Sequence, residues 1–214
     1  MPLPVGEAVS GGNPGRRSTR IYLVRHGQVE GFEEKRYNGQ ADVRLTPLGF
    51  RQFETLRERL RDKPVAAVYS SDLSRCLEGA RLLAAPLGLQ PVALPALREL
   101  HIGHWQGRTW EEIRRSHPAE WQGRLADIVN FRVRGGENLL DVRNRVRPVV
   151  GELLERHPGH EIVVVGHGGV NRILLLDLLG APLSSMFRLE QDFGCLNVID
   201  YSPDGSGVIR LLNG

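Results

Sequence analysis

The chain has 214 residues, 28 Lys and Arg against 25 Asp and Glu, a net charge of +3 and 41% hydrophobic residues. That length suits one well-buried core rather than two, and so small a charge excess argues against a dedicated nucleic-acid binder while remaining compatible with an anionic small substrate. Two cysteines, Cys76 and Cys195, sit far apart in apolar surroundings, which excludes a disulfide framework and predicts reduced core residues of an intracellular protein.

Residues 1–19, MPLPVGEAVSGGNPGRRST, are dense in Gly, Pro and Ser and lack the apolar core of a secretory leader. A flexible arm is expected there, with a single domain over 20–214. No later stretch is apolar for long enough to span a bilayer, since even ILLLDLLG is interrupted by Asp177. A cytoplasmic location without a membrane partner is the expectation.

Ile21 to Val24 read as a strand buried on both faces, running straight into Arg25-His26-Gly27. Thr46 suits a helix N-cap with Pro47 at the first helical position, and Phe53, Leu56 and Leu60 then recur at helical spacing up to Pro64. Val65 to Tyr69 form a short strand, followed from about Leu73 by a helix with Leu73, Cys76, Leu77 and Ala80 on one face. Thr109 with Glu112 fits a capping box. A long helix is predicted from Asn138 to Arg156, with Leu139, Val142, Val146, Val149 and Leu153 on one side and a kink or break at Pro148.

EIVVVGHGG is a second fully apolar strand, VNRILLLDLLG the helix after it, and CLNVIDY with GVIRLL reads as a terminal antiparallel hairpin around SPDGS. Strands alternating with helices predict an α/β fold, a three-layer α/β/α sandwich with a mainly parallel central sheet. Ligands gather at the carboxyl ends of such strands. Arg25-His26-Gly27 and Gly166-His167-Gly168 both fall there.

One histidine beyond an apolar strand is ordinarily a satisfied core residue. Two of them, each beside glycine and both at the ligand-binding edge, point instead to a site, because glycine lets backbone and its amide donors approach an anion. Arginine offers a planar fork that matches phosphate oxygens. Arg25 precedes the first histidine, and Arg75 falls in the first turn of the helix after YSSDLSR.

LVRHGQ, YNGQADVRLTPLG, VYSSDLSRCLEGA, LREL with GHWQGRTWEEI, GGENLLDVRNRV and VVVGHGG follow one another as in the histidine phosphatase superfamily, the phosphoglycerate-mutase-like proteins. The chain resembles that family from Arg20 to Tyr201. The resemblance implies that His26 is a nucleophile that becomes phosphorylated and that Arg25, Arg75 and His167 surround the phosphoryl group. It also implies that Asn38, Gln40 and Gly168 assist binding and that Glu99 is the acid/base group. No metal and no cofactor is expected, because arginines supply the positive charge. The insertion after Glu99, around 100–135, is shorter than in the cofactor-dependent mutases of the family, which favours hydrolysis, and GGENLLDVRNRV resembles the GGES run of the small phosphatase branch that includes α-ribazole phosphatase. Asn138 replaces the serine usual there, and Gln106 stands where that branch commonly has glutamate.

That insertion holds all three tryptophans, Trp105, Trp110 and Trp121, with Arg108, Arg114, Arg115, Arg124, Arg132 and Arg134. It is expected to cover the mouth of the site as a lid, with the tryptophans chiefly packing it. An RNA-binding face is the competing account of the same residues, without a recognised module to support it. His101 and His104 invite a metal reading but lack carboxylate or cysteine partners in the sequence. His117, His157 and His160 are expected in exposed loops. Gly11-Gly12 and Gly135-Gly136 are too isolated to be dinucleotide fingerprints.

The expectation is therefore a metal-independent phosphomonoesterase acting on a small-molecule phosphate ester, α-ribazole 5′-phosphate being one candidate, with neither nucleic acid nor membrane as partner. A homodimer, a cofactor-dependent mutase and a catalytically silent phospho-ligand binder stay open as alternatives.

Overall fold

The computed structural model describes residues 18–214. The arm predicted over 1–19 lies outside the described residues except at its end, where Thr19 already opens the first strand. Strands β1 (Thr19–Arg25), β2 (Val65–Ser70), β3 (Val92–Ala93), β4 (Glu161–Gly166), β5 (Leu196–Tyr201) and β6 (Gly207–Leu211) form one sheet in the order β3-β2-β4-β1-β5-β6. β1, β2, β3 and β4 are parallel, while β5 runs antiparallel to β1 and pairs with β6 as the predicted hairpin.

Strand residues alternate between two apolar layers. Ile21, Leu23, Ile162 and Val164 face helices α5 (Leu139–Arg156) and α6 (Gly168–Leu178). Tyr22, Val24, Val163 and Val165 face α1 (Pro47–Leu60) and α2 (Ser74–Ala84). Burial on both faces is why β1 and β4 read as unbroken apolar runs rather than alternating ones. The predicted three-layer α/β/α arrangement is the one observed.

Helix starts follow local chemistry. Thr46 Oγ1 accepts the Gly49 N–H at 3.1 Å with Pro47 in the first turn, and Thr109 with Glu112 completes a capping box that opens α3 (Trp110–Ser116). Asn138 caps α5 through a reciprocal box with Asp141. Of the kink or break expected at Pro148, the break does not occur, as α5 runs through it. Proline removes the N–H that would reach the Asn144 carbonyl, but both residues are exposed, so water can take that carbonyl.

The insertion folds around α3 and α4 (Pro118–Ala126) with a small core of its own: Ile102, Trp105, Ile113 and Val133 are buried against Tyr37, Trp121 and Phe131. Its backbone is stitched to the segment preceding Asn38 by Tyr37 N–H to Arg108 carbonyl at 2.9 Å and Gly107 N–H to Tyr37 carbonyl at 2.8 Å. Among the described residues no helix is long and apolar enough to cross a membrane.

Candidate active site

β1 and β4 lie side by side with Arg25 opposite Gly166, so the two strands deliver His26 and His167 to the same edge. Their rings meet edge to face with centroids 5.2 Å apart. His26 Nδ1 lies 2.8 Å from its neighbour's carbonyl, Gly27 O. A carbonyl only accepts, so Nδ1 carries the proton and Nε2 keeps its lone pair. Burial, then the charges of Arg75 and Arg25, push the His26 pKa well below the ordinary 6.5, so the ring is neutral.

Arg75 is almost wholly buried beside it, and Arg25 is half-buried. Arg25 stacks 4.0 Å over the Phe193 ring and donates Nη1 to the Gln191 carbonyl, while its Nε has no partner among the described residues. Burial lowers its pKa and the Glu99 carboxylate pulls it back up. Arg75, from the first turn of α2, donates to the carbonyls of Ala41 and Gly39, both at 2.7 Å, and so fixes the loop that carries Asn38.

Glu99 reaches this edge from the loop after β3. Its Oε1 accepts the Leu100 N–H at 2.8 Å and its Oε2 accepts the Gly169 N–H at 2.9 Å in the first turn of α6. A Cβ on Gly169 would stand 2.5 Å from Oε1, so only glycine admits the carboxylate there. Arg25, His26, Asn38, Arg75 and Glu99 thus line one cavity of about 370 Å³, a volume suited to a small molecule.

Three predicted residues sit elsewhere than on that wall. His167 is fully buried behind His26 with Cys76 Sγ 3.4 Å from its Nε2, and burial followed by Arg75 and the His26 ring holds it neutral. Gln40 turns away from the cavity: its side chain donates to the Glu99 carbonyl at 3.0 Å and its backbone N–H to Gln106 Oε1 at 3.1 Å. It supports Glu99 rather than facing a ligand. Gly168 opens α6, and a Cβ on it would come within 3.2 Å of Arg25 Nε and Arg172 Nη1. Gly27 serves packing more than ligand approach, because a Cβ there would strike the Gly49 carbonyl at 2.4 Å.

The remaining histidine expectations divide. His101 Nδ1 accepts the Gly103 N–H, whereas His104 meets Glu120 at 3.2 Å and, with His117, forms a group whose ligand atoms lie within 4.8 Å of one another. His117 and His157 are half-buried rather than exposed, His157 because its ring meets the Tyr69 hydroxyl at 2.7 Å; only His160 is exposed as predicted. Both cysteines are free and buried. Trp105 is core, but Trp110 is 43% exposed and lines the cavity.

Several residues were missed. Arg145 of α5 grips Glu137 through Nε at 2.7 Å and donates to the carbonyls of Ala96 and Glu99 at 2.7 and 3.0 Å, which fixes the segment that carries Glu99. Arg172, Phe193, Lys35 and Tyr37 line the cavity. Arg145 is the one with a sequence signal, a charge on the half-buried side of an amphipathic helix.

A family model for the histidine phosphatase superfamily (branch 1) matches residues 21–214. Mycobacterial relatives are 33% identical over 196 residues, and the chain spans about half of their length, 54%. A probable phosphoglycerate mutase GpmB from Yersinia pestis is 31% identical over 85% of each chain. The α-ribazole phosphatase of Shigella flexneri is similar in structure with a TM-score of 0.84 at 28% identity, over 91% of this chain and 96% of that one. A mycobacterial glucosyl-3-phosphoglycerate phosphatase gives 0.82 at 29% identity, over 92% and 100%. The chain belongs to the histidine phosphatase superfamily, branch 1.

Proposed function

We propose that the chain is a metal-independent phosphomonoesterase that works through a phosphohistidine at His26. The observation that carries this reading is the His26 ring itself, neutral, with Nδ1 directed at the Gly27 carbonyl and Nε2 at a cavity shared with buried Arg75, half-buried Arg25 and one carboxylate. Nε2 attacks phosphorus, the ester P–O bond breaks, and Glu99 gives its proton to the departing alcohol oxygen. Water then attacks the phosphorus of phosphohistidine, Glu99 takes a proton from it, and the P–N bond breaks to release inorganic phosphate and neutral His26.

Arg25, with an unpartnered Nε, and Arg75 hold the non-bridging oxygens, so positioning and fixed positive charge supply most of the rate. His167, neutral and buried, contributes a hydrogen bond rather than a charge. Asn38, on the cavity wall, adds a further polar contact.

The substrate is a small phosphate ester, with α-ribazole 5′-phosphate and a phosphoglycerate derivative both suggested by the names of similar structures. Similarity to a probable phosphoglycerate mutase favours a second reading, in which a phosphorylated acid rather than water accepts the phosphoryl group. Phosphate release is measured from aryl phosphate, α-ribazole phosphate, phosphoserine and phosphoglycerates in EDTA. Release is expected to survive the chelator and to fall about a thousandfold or more in His26→Ala. Turnover retained in that variant removes His26 as nucleophile, and transfer only in the presence of a bisphosphorylated primer selects the mutase.

A further inference from the structure

Arg124 on α4 lines the same cavity and takes no part in the reaction above. It is only 6% exposed, and its buried Nη1 has no hydrogen-bond partner among the described residues. Its guanidinium rests 5.8 Å from the Tyr37 ring centroid. Glu120, one helical turn earlier, is the natural i,i+4 partner for an arginine. Its Oε2 is instead engaged by the Trp105 N–H at 3.1 Å and by His104 at 3.2 Å, and no ion pair joins it to Arg124 among the described residues. Asp127, just beyond α4, is occupied by Asn130.

A buried cation left without an anion costs free energy, and proteins rarely keep one without use for it. The cavity wall as a whole repeats the imbalance: Arg25, Lys35, Arg36, Arg75, Arg124 and Arg172 face it with Glu99 as the one carboxylate among the lining residues. Arg36 is engaged by Glu34, and Arg172 stands 3.9 Å from Glu190. Arg25 and Arg75 suffice for one phosphoryl group. Arg124 is then a fork of donors waiting for a different anion.

We propose that Arg124 is the subsite for a second anionic group of the substrate, a carboxylate or a further phosphate, so that the preferred ester is a phosphorylated acid rather than a phosphorylated neutral alcohol. The first anion in this proposal rests on the phosphomonoesterase reading. Tyr37 beside Arg124, with the Trp110 ring 5.8 Å from Tyr37 on the same cavity wall, makes the surroundings apolar enough for a charge-assisted pair to discriminate strongly.

The test uses matched pairs that differ in the acid group: 3-phosphoglycerate against glycerol phosphate, and phosphoserine against phosphoethanolamine. A charge-assisted pair predicts that kcat/KM favours the acid by about 10- to 100-fold in the unaltered protein. In Arg124→Gln the ratio is expected to collapse towards one, chiefly through KM, and in Arg124→Lys to recover in part, since ammonium keeps the charge but not the fork. A ratio near one in the unaltered protein, or a ratio unchanged by Arg124→Gln, overturns the proposal. Arg124→Met, which keeps the packing and deletes the unpaired charge, is expected to raise the Tm of the ligand-free protein; a lowered Tm assigns Arg124 to structure instead. Titrating the same pairs into His26→Ala reads affinity without turnover. Failure to hydrolyse aryl phosphate would thus sink the hydrolase reading, while the affinity ratio still decides Arg124.

Discussion

Glu99 is held at both oxygens by backbone amides, one following it in the chain and one at the start of α6. Its carbonyl is held as well, by Gln40 and Arg145, so little freedom is left to the carboxyl group. Such fixing suits a group that must meet a leaving oxygen in one direction and a water in the next step. Glu99→Gln retains an acceptor for one amide but turns an NH₂ towards the other, and it has no proton to give. The proposed role predicts a loss of about 10²- to 10⁴-fold in kcat for alkyl phosphates and a much smaller loss for aryl phosphates, whose leaving groups need little protonation. The measurement is kcat against leaving-group pKa for both proteins. A purely structural role lowers all esters by the same factor, and that outcome would remove Glu99 as general acid.

α1 and α2 meet where Phe53, fully buried, lies across Gly79. A Cβ on Gly79 would come within 1.9 Å of the Phe53 ring. In an open helix Gly→Ala stabilises by up to about 1 kcal/mol; here the ring has to leave its place, and overpacking typically costs about 1–3 kcal/mol. Gly79→Ala is therefore expected to lower the urea midpoint with the m-value unchanged, and a raised midpoint would show that the helices separate freely. This contact was not legible in the sequence, although α1 and α2 were, because helix starts depend on neighbouring residues and helix contacts do not. Thr46, Thr109 and Asn138 cap as their spacing predicts. The break expected at Pro148 is absent for the same reason: its consequence depends on which side of α5 faces water. β3, two residues long, exists through pairing with β2 and carries no pattern of its own.

At the scale of the whole molecule, the sheet brings residues 25–26, 75, 99 and 167–169 to one edge. The histidines were visible because glycine-flanked polar residues interrupt apolar strands, but the partners on the cavity wall, Arg172, Phe193 and Tyr37, belong to amphipathic or irregular segments that any surface could hold. Gathering two buried histidines beside two arginines also imposes a cost that depends on pH. His26 and His167 are held neutral in the folded chain, by burial first and by arginine charge second, well below the 6.5 of the unfolded chain. Above that pH both states carry neutral rings and the pair contributes nothing. Below it the unfolded chain binds protons that the folded chain refuses, so stability rises with pH in this window and is lost as pH falls. Each histidine adds at most about 1.4 kcal/mol per pH unit, and the pair about 2.7. Asp72 and Asp200, kept below their ordinary range by hydrogen bonds from Arg98 and Arg20, act only at lower pH, whereas His157, lowered chiefly by its own burial, adds a contribution in the same window. Urea unfolding from about pH 7.5 to about pH 5.5 is expected to show a flat region that turns downward near 6.5, and His26→Gln to reduce the slope below the turn by about a third to a half, since His157 shares the window. A profile that stays flat through the window, or a slope the variant does not change, would mean that His26 takes up its proton in the folded state and is not the neutral nucleophile its surroundings imply.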